Sequence, residues 1–168
     1  MKRKPRAIMI SLFLSTWLLF IAVGQGFGED YEALKGLKSV KAVFDVRVAN
    51  PKSAALNLKL IHDTCKDKNI MAVTKKPVFV VIFMGPSVKL ISKKREGFSS
   101  EEQKILDEIA TTISEMSKDG IKFEICLIAV KAFGVEPSSI LPEIKQVGNG
   151  WVSLIRDQAR GYSLVPVY

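Results

Sequence analysis

The sequence predicts an α/β fold, a three-layer α/β/α domain built on a mainly parallel sheet of about five strands. Short apolar segments alternate with segments of helical periodicity along most of the chain, which is typical of a parallel sheet joined by crossover helices. Residues 77–84 (PVFVVIFM) form a continuous apolar run after a proline. Such runs are typical of strands that helices cover on both faces, so this segment predicts a central strand.

The first half of the domain contains two predicted strands and one predicted helix. Residues 29–39 are a polar lead-in, and residues 41–48 (KAVFDVRV) predict the first strand. Asn50 and Pro51 then favour a helix start, with asparagine as the N-cap and proline in the first turn. Apolar side chains recur at helical spacing after this start, at Ala54, Leu58, Ile61 and Cys65. Residues 70–73 predict a short edge strand or one buried turn, and residues 77–84 the second strand.

The second half repeats the alternation. Ser99 and Glu102 form a capping box, and Gly120 supplies a helix stop. The predicted buried stripe between them is Ile105, Ile109, Ile113 and Met116. A strand from Ile121, a helix over residues 127–133 and a strand over 144–147 follow. The last helix carries Trp151, Leu154 and Ile155, ends at Gly161 and leads into a strand over residues 162–167.

Residues 1–28 are predicted to be a signal peptide, which leaves residues 29–168 as a single domain. Four basic residues precede an uncharged apolar run over residues 7–23, and small residues follow it. The predicted cleavage follows Gly24. An uncleaved membrane anchor is the alternative, although the run is short for a spanning helix. The chain is therefore expected in the periplasm, either free or anchored to the inner membrane and facing the periplasm.

Composition argues against several classes of function. The chain carries a net charge of +8, and four of its basic residues lie in the leader, which has no acidic residue, so the domain is only mildly basic. The dense basic run at residues 93–95 has no interleaved aromatic residues, and no nucleic-acid partner is expected. One histidine, His62, and two separated cysteines give no zinc-binding spacing, and no metal site is expected.

Cys126 is the candidate reactive residue. It ends the third predicted strand and begins a helix, and ligands of such folds bind outside the carboxyl ends of the strands. The unpaired N–H groups at a helix N-terminus favour an anion such as a thiolate. The other interpretation is a buried cysteine that acts as a small hydrophobic residue. Turns after neighbouring strands supply the candidate substrate-binding residues, which are Gly85, Pro86, Ser87, Asn149 and Gly150.

The two cysteines are not expected to form a disulfide, even in an oxidising compartment. Cys65 lies at the end of a helix that returns to the amino ends of the strands, whereas Cys126 lies at a carboxyl end. A strand of five or six residues separates these edges by about 17–20 Å. A disulfide needs Cα atoms within roughly 7 Å of each other.

Several segments together resemble the DsrE/DsrF-like sulfur-relay family. They are VFDV at 43–46, GPSVKL at 85–90, GIKFEIC at 120–126, KAFGVEPSSILPEIKQV at 131–147 and RGYSLV at 160–165. The resemblance covers residues 41–168 and implies a parallel five-stranded sheet, assembly into oligomers and no cofactor. It also implies that Cys126 carries sulfane sulfur as a persulfide between thiol or persulfide donor and acceptor proteins. Many exported relatives have a histidine before the GP turn, where this chain has Met84.

Two classes of function therefore remain open at the level of sequence. One is a sulfur carrier or sulfurtransferase-like protein that uses Cys126. The other is a non-catalytic homo-oligomeric binding module of the same fold, in which Cys126 only lines a strand-end pocket. In either case, the apolar Trp151, Val152 and Ile155 of the last helix lead us to expect a homo-oligomer.

Overall fold

A computed structural model describes residues 34–168, so the predicted leader lies outside the described residues. All five strands of its sheet are parallel, and their spatial order is β4-β3-β2-β1-β5. The strands are β1 (Lys41–Val46), β2 (Val78–Phe83), β3 (Lys122–Cys126), β4 (Ile144–Val147) and β5 (Ser163–Val167). The helices are α1 (Pro51–Cys65), α2 (Lys68–Val73), α3 (Ser100–Lys118), α4 (Leu127–Ala132) and α5 (Gly150–Ala159). Two short 3₁₀ helices span Gly85–Ile91 and Pro137–Ser139.

The strand order decides which helices share a face of the sheet. The connections from β1 to β4 all step in one direction, whereas the connection from β4 to β5 returns across the sheet. Because crossovers between parallel strands are right-handed, the returning helix must lie on the opposite face. Accordingly α1 and α3 pack against each other, while α5 packs against β1, β2 and β3. The predicted three-layer architecture with a five-stranded parallel sheet is confirmed.

Two helices begin where local signals in the sequence predicted that they would. The Asn50 side chain accepts a hydrogen bond from the Ser53 N–H at 3.1 Å and begins α1. The capping box at the start of α3 is present, with Ser99 and Glu102 bonded reciprocally. The predicted buried stripe of α3 is wrong at one position, Ile105. Leu106 is fully buried, whereas Ile105 is only partly buried. Both residues fit an apolar face, and only the packing against the sheet selects between them.

The prediction for residues 70–73 was also wrong. This segment belongs to α2, which has no buried residue. Asp67 is the N-cap and its side chain accepts a hydrogen bond from the Asn69 N–H at 2.8 Å. A local cap thus organises a polar connection that has no neighbouring strand to pair with. The first two strands are also shorter than predicted, ending at Val46 and Phe83.

A buried ion cluster fixes α5 to the sheet. The guanidinium of Arg156 on α5 donates to both carboxylate oxygens of Glu124 on β3, at 3.1 and 3.2 Å. It also donates to both carboxylate oxygens of Asp157, at 2.8 and 2.7 Å. The two acidic side chains are 8% and 4% exposed, whereas that of Arg156 is 31% exposed. The cluster therefore ties the middle of α5 to the strand that ends at Cys126.

Within residues 34–168, no helix has the length and apolar character needed to cross a membrane.

Candidate functional site

The register of the sheet brings Cys126 into a row of residues at the carboxyl ends of the strands. Cys126 pairs with Val147 on β4. On its other side, Phe83 pairs with Ile125 and with Val46, so the next residues, Met84 and Arg47, continue the row. Val46 also pairs with Val167, which puts Tyr168 beside Arg47. We call these residues the strand-end row: Val147, Cys126, Met84, Arg47 and Tyr168.

All members of the strand-end row belong to the face of the sheet that α5 covers. Side chains alternate between the two faces along a strand, and paired residues of parallel strands share a face. Glu124 bonds to Arg156 of α5, and Cys126 lies two residues further along β3. The register extends the same parity to the rest of the row. The row therefore lies on the α5 side of the sheet.

The N-terminus of α5 is in close contact with Cys126. A Cβ atom built on Gly150 would lie 3.0 Å from the Cys126 Cβ and 2.4 Å from the Met84 Sδ. Asn149 is the N-cap of α5, and its side chain accepts a hydrogen bond from the Trp151 N–H at 3.0 Å. The absence of a side chain at Gly150 is what lets the helix approach the cysteine so closely.

Cys126 is placed where the sequence predicted it, at the end of β3 and directly before α4. Its exposed fraction is 6%, close to the 8% of Cys65 at the end of α1. Burial, followed by the charge of Asp119, raises the pKa of the Cys65 thiol. Both thiols are free, with Cys65 at the end of α1 and Cys126 at the end of β3.

The predicted substrate-binding residues have different surroundings. Gly150 contacts the cysteine site, and Asn149 caps the helix above it. Gly85 has a φ of +58°, a conformation that favours glycine. Ser87 is fully buried, and its hydroxyl lies 2.8 Å from both the Val46 and the Met84 carbonyl oxygens, to which it donates. Ser87 therefore holds the turn after β2, and Pro86 lies in the first turn of the 3₁₀ helix that begins at Gly85.

Sequence reasoning missed Arg47, the cation of the strand-end row. Its Nε donates to both carboxylate oxygens of Asp45, at 3.0 and 3.1 Å, and Asp45 is buried. The hydrogen bond to Asp45 is the main cause that raises the pKa of Arg47, and the charges of Tyr168 and Cys126 add smaller contributions. The signal in the sequence was an arginine two residues after an aspartate, on the same face of a strand. The sequence predicted Arg47 only as a member of the first strand.

Two other polar groups in the described part of the chain do not belong to the strand-end row. The Nε2 atom of His62 lies 2.6 Å from Asp119, at the other end of the domain from the strand-end row. A cavity of about 450 Å³ on the α5 face is lined in part by Glu124, Arg156 and Asp157, and Arg156 binds both acidic side chains. Within residues 34–168, no group of three or more His, Cys, Asp or Glu residues could hold a metal ion.

Two proteins with solved structures have a similar fold. A protein of unknown function from Methanobacterium thermoautotrophicum, MTH1491, superimposes with a TM-score of 0.57 at 17% sequence identity. That match covers 76% of this chain and 99% of the other. The ychN protein from E. coli gives a TM-score of 0.51 at 14% identity and covers 77% of this chain and 99% of the other. At these identities the likeness shows the fold alone.

Sequence comparison identifies the family. An uncharacterized protein of Aquifex aeolicus is 28% identical over 130 residues, a match that covers 76% of this chain. The match covers 56% of that relative, so the chain spans little more than half of its length. The model of the DsrE/DsrF-like family matches residues 41–167, which include every strand of the sheet and the whole strand-end row except Tyr168. The chain therefore belongs to the DsrE/DsrF-like family, a family of the sulfur-relay type.

Proposed function

We propose that this protein carries sulfane sulfur as a persulfide on Cys126. The observation that carries the proposal is the position of Cys126, at the end of β3 in a row with Arg47 and beneath the N-terminus of α5. Backbone N–H groups at a helix N-terminus and a nearby guanidinium both favour negative charge on sulfur. Family membership supports a role of the sulfur-relay type.

The reaction that this arrangement supports is a thiol exchange. The Cys126 thiolate attacks the outer sulfur of a donor persulfide, R–S–SH. A new S–S bond forms, the S–S bond of the donor breaks, and its electron pair leaves on the donor thiolate, R–S⁻. The hydrogen stays on the transferred sulfur, so no oxidant or reductant is consumed. An acceptor thiolate repeats the exchange and regenerates Cys126.

Access to Cys126 depends on small and flexible groups. Two neighbours of Cys126 in the strand-end row and at the start of α5 are Met84, whose unbranched side chain can change rotamer, and Gly150, which has no side chain. Gly148 in the preceding turn has no atom within 4 Å of the position that a Cβ would occupy. We propose that movement of Met84 and of this turn admits the donor. Because methionine cannot accept a proton, the exchange must begin from the thiolate.

Mass spectrometry of the intact, full-length chain tests the proposal. After incubation with a low-molecular-weight persulfide, the wild-type chain should gain the mass of one sulfur. The Cys126→Ser variant should gain none, since it lacks the acceptor thiol. The Cys65→Ser variant is the matched control, because Cys65 is similarly buried but lies outside the strand-end row, and it should load normally. Equal loading of the Cys126→Ser and wild-type chains would refute the proposal.

The second candidate is the non-catalytic binding module. Its support is the burial of Cys126, which is as complete as that of Cys65. If the wild-type chain gains no sulfur while its fold and assembly are intact, this candidate is preferred. Both the sulfur carrier and the binding module are expected to be homo-oligomers.

We propose that the exposed apolar side of α5 is the surface on which copies of the chain associate. Trp151, Val152 and Ile155 are 63%, 61% and 66% exposed, more than a small monomer usually leaves in one patch. Val152→Asp should shift the oligomer toward monomer in light scattering at micromolar concentrations. Leu56→Asp is the control, since Leu56 is 58% exposed but lies on α1, across the sheet from α5. A wild-type chain that is strictly monomeric would contradict this proposal.

We also propose that residues 1–28 direct the chain to the periplasm, as a leader that is cleaved or as an inner-membrane anchor. The support is the basic, apolar and small-residue order of this segment. The mass of the chain recovered from the exporting cell distinguishes the two forms, and recovery of full-length chain from the cytoplasm would refute both.

A further inference from the structure

We propose that Arg47 makes the Cys126 site selective for negatively charged sulfur compounds. The inference rests on the proposed function, in which Cys126 exchanges sulfur with a donor. It adds a specificity residue to that exchange and a chemical class for the donor, a persulfide that carries anionic groups. Three features of the strand-end row support it.

The first feature is position. Arg47 and Cys126 are separated by one strand, β2, and belong to the same face of the sheet. Neighbouring strands lie about 4.8 Å apart, so the two backbones are roughly 10 Å apart, and an arginine side chain covers much of that distance. The charge of a Cys126 thiolate contributes to the raised pKa of Arg47, which places the two groups within electrostatic reach.

The second feature is the way in which the guanidinium is held. Asp45 lies two residues deeper on β1, and both of its carboxylate oxygens bind the Arg47 Nε. Within residues 34–168, the two terminal nitrogens of Arg47 donate no hydrogen bond. The Arg47 side chain is 34% exposed, whereas that of Asp45 is 5% exposed. The ion pair therefore has its negative end in the interior and leaves donors of its positive end available to a ligand.

The third feature is the distribution of charge around the row. The first turn of α5 contributes Asn149, Gly150 and Trp151, none of which is charged, whereas Tyr168 contributes a negative charge that acts on Arg47 as that of Cys126 does. The acidic Glu124 and Asp157 lie deeper under α5, where Arg156 binds both. Arg47 is thus the cation of the row, and it favours anionic partners of the Cys126 sulfur.

This selectivity suits the products of the exchange. When the Cys126 thiolate displaces R–S⁻ from R–S–SH, the sulfur that it gains becomes a persulfide group. A persulfide is a stronger acid than its parent thiol, so this group loses its proton to water and is carried as an anion. One cation beside the row stabilises both the attacking thiolate and the carried persulfide, and it attracts a donor with carboxylate groups.

Paired alkylating reagents test the inference on the full-length chain. Iodoacetate is an anion and iodoacetamide is its neutral counterpart, so their rate ratio at Cys126 reports the local charge and not only the reactivity of the thiol. Arg47→Met should lower this ratio about two- to fivefold, as expected for one partly exposed charge. Arg47→Lys should preserve it, and Arg160→Met, which removes an exposed charge outside the row, should leave it unchanged. Peptide mapping of Cys65 in the same sample is the internal control.

The outcomes separate this inference from the proposed function. An unchanged ratio in Arg47→Met overturns the role of Arg47, whether or not Cys126 accepts sulfur. A lowered ratio supports it, and a wild-type chain that then fails to gain sulfur refutes only the carrier function. If Arg47→Met does not fold, added salt replaces it as the test. The wild-type ratio should fall with ionic strength more at Cys126 than at Cys65, and an equal response of the two cysteines overturns the inference.

Discussion

Replacement of Arg156 with methionine is expected to lower the free energy of unfolding by about 3 kcal/mol. The substitution removes the single partner that Glu124 and Asp157 share, and both carboxylates are almost fully buried. Methionine fills much the same volume, so the loss comes mainly from unpaired buried charge and only secondarily from packing. Urea unfolding followed by circular dichroism measures the effect.

The matched control is Arg160→Met, which removes an exposed charge one turn further along the same chain segment and should change stability by less than about 0.5 kcal/mol. A triple variant tests the cause. When Arg156→Met is combined with Glu124→Gln and Asp157→Asn, the unpaired charges are gone and much of the lost stability should return. If Arg156→Met were as stable as the wild-type chain, the cluster would not be what fixes α5 to the sheet.

The expected effect extends to the cysteine site because the same two elements meet at both places. β3 carries Glu124 and Cys126 two residues apart, and α5 carries Gly150 and Arg156 six residues apart. The ion cluster therefore sets where α5 lies along β3, and with it the distance between the N-terminus of α5 and Cys126. As the ion cluster is weakened, the alkylation rate of Cys126 should rise at a smaller loss of stability than is needed to change the alkylation rate of Cys65.

The sequence predicted the features that depend on local patterns. The apolar run of β2, the cap at Asn50 and the capping box at Ser99 each act over a few residues, and each element formed where its pattern indicated. The position of Cys126 followed from the same local pattern, since a strand that ends as a helix begins needs no distant contact to be recognised. The helix α2 was missed because an isolated apolar tetrapeptide does not distinguish a strand from a helical turn.

Features that depend on strand order could not be predicted in this way. Arg47 precedes Cys126 by 79 positions in the chain, and the two meet only because β1 and β3 flank β2. The contact of Gly150 with Cys126 requires that the chain cross back over the sheet to β5, which no local signal specifies. The candidate site is therefore a product of topology, and its supporting residues become visible only in the register of the strands.

Gly150 is expected to tolerate no side chain. Alanine at this position should lower the free energy of unfolding by about 1–3 kcal/mol, as is usual when atoms are added to a well-packed site. Its Cβ would lie 2.4 Å from the Met84 Sδ, 2.9 Å from the Met84 Cγ and 3.0 Å from the Cys126 Cβ. Met84 can change its rotamer, but the Cys126 Cβ is fixed to the backbone of β3, so the start of α5 must shift. Denaturant unfolding measures the loss.

Gly148→Ala is the matched control, two residues earlier in the same turn. No atom lies within 4 Å of its Cβ position and its φ is not positive, so alanine should be neutral or stabilise the fold slightly.

The contact between Gly150 and Met84 predicts that substitutions at these two positions are energetically coupled. Met84→Ala alone leaves a cavity, and in the Gly150→Ala/Met84→Ala double variant the Cβ at position 150 occupies part of that cavity. The double variant should therefore lose at least 0.5 kcal/mol less free energy of unfolding than the sum of the losses in the two single variants. Strictly additive losses would mean that Gly150 and Met84 do not touch, and that α5 does not approach Cys126 as the structure describes.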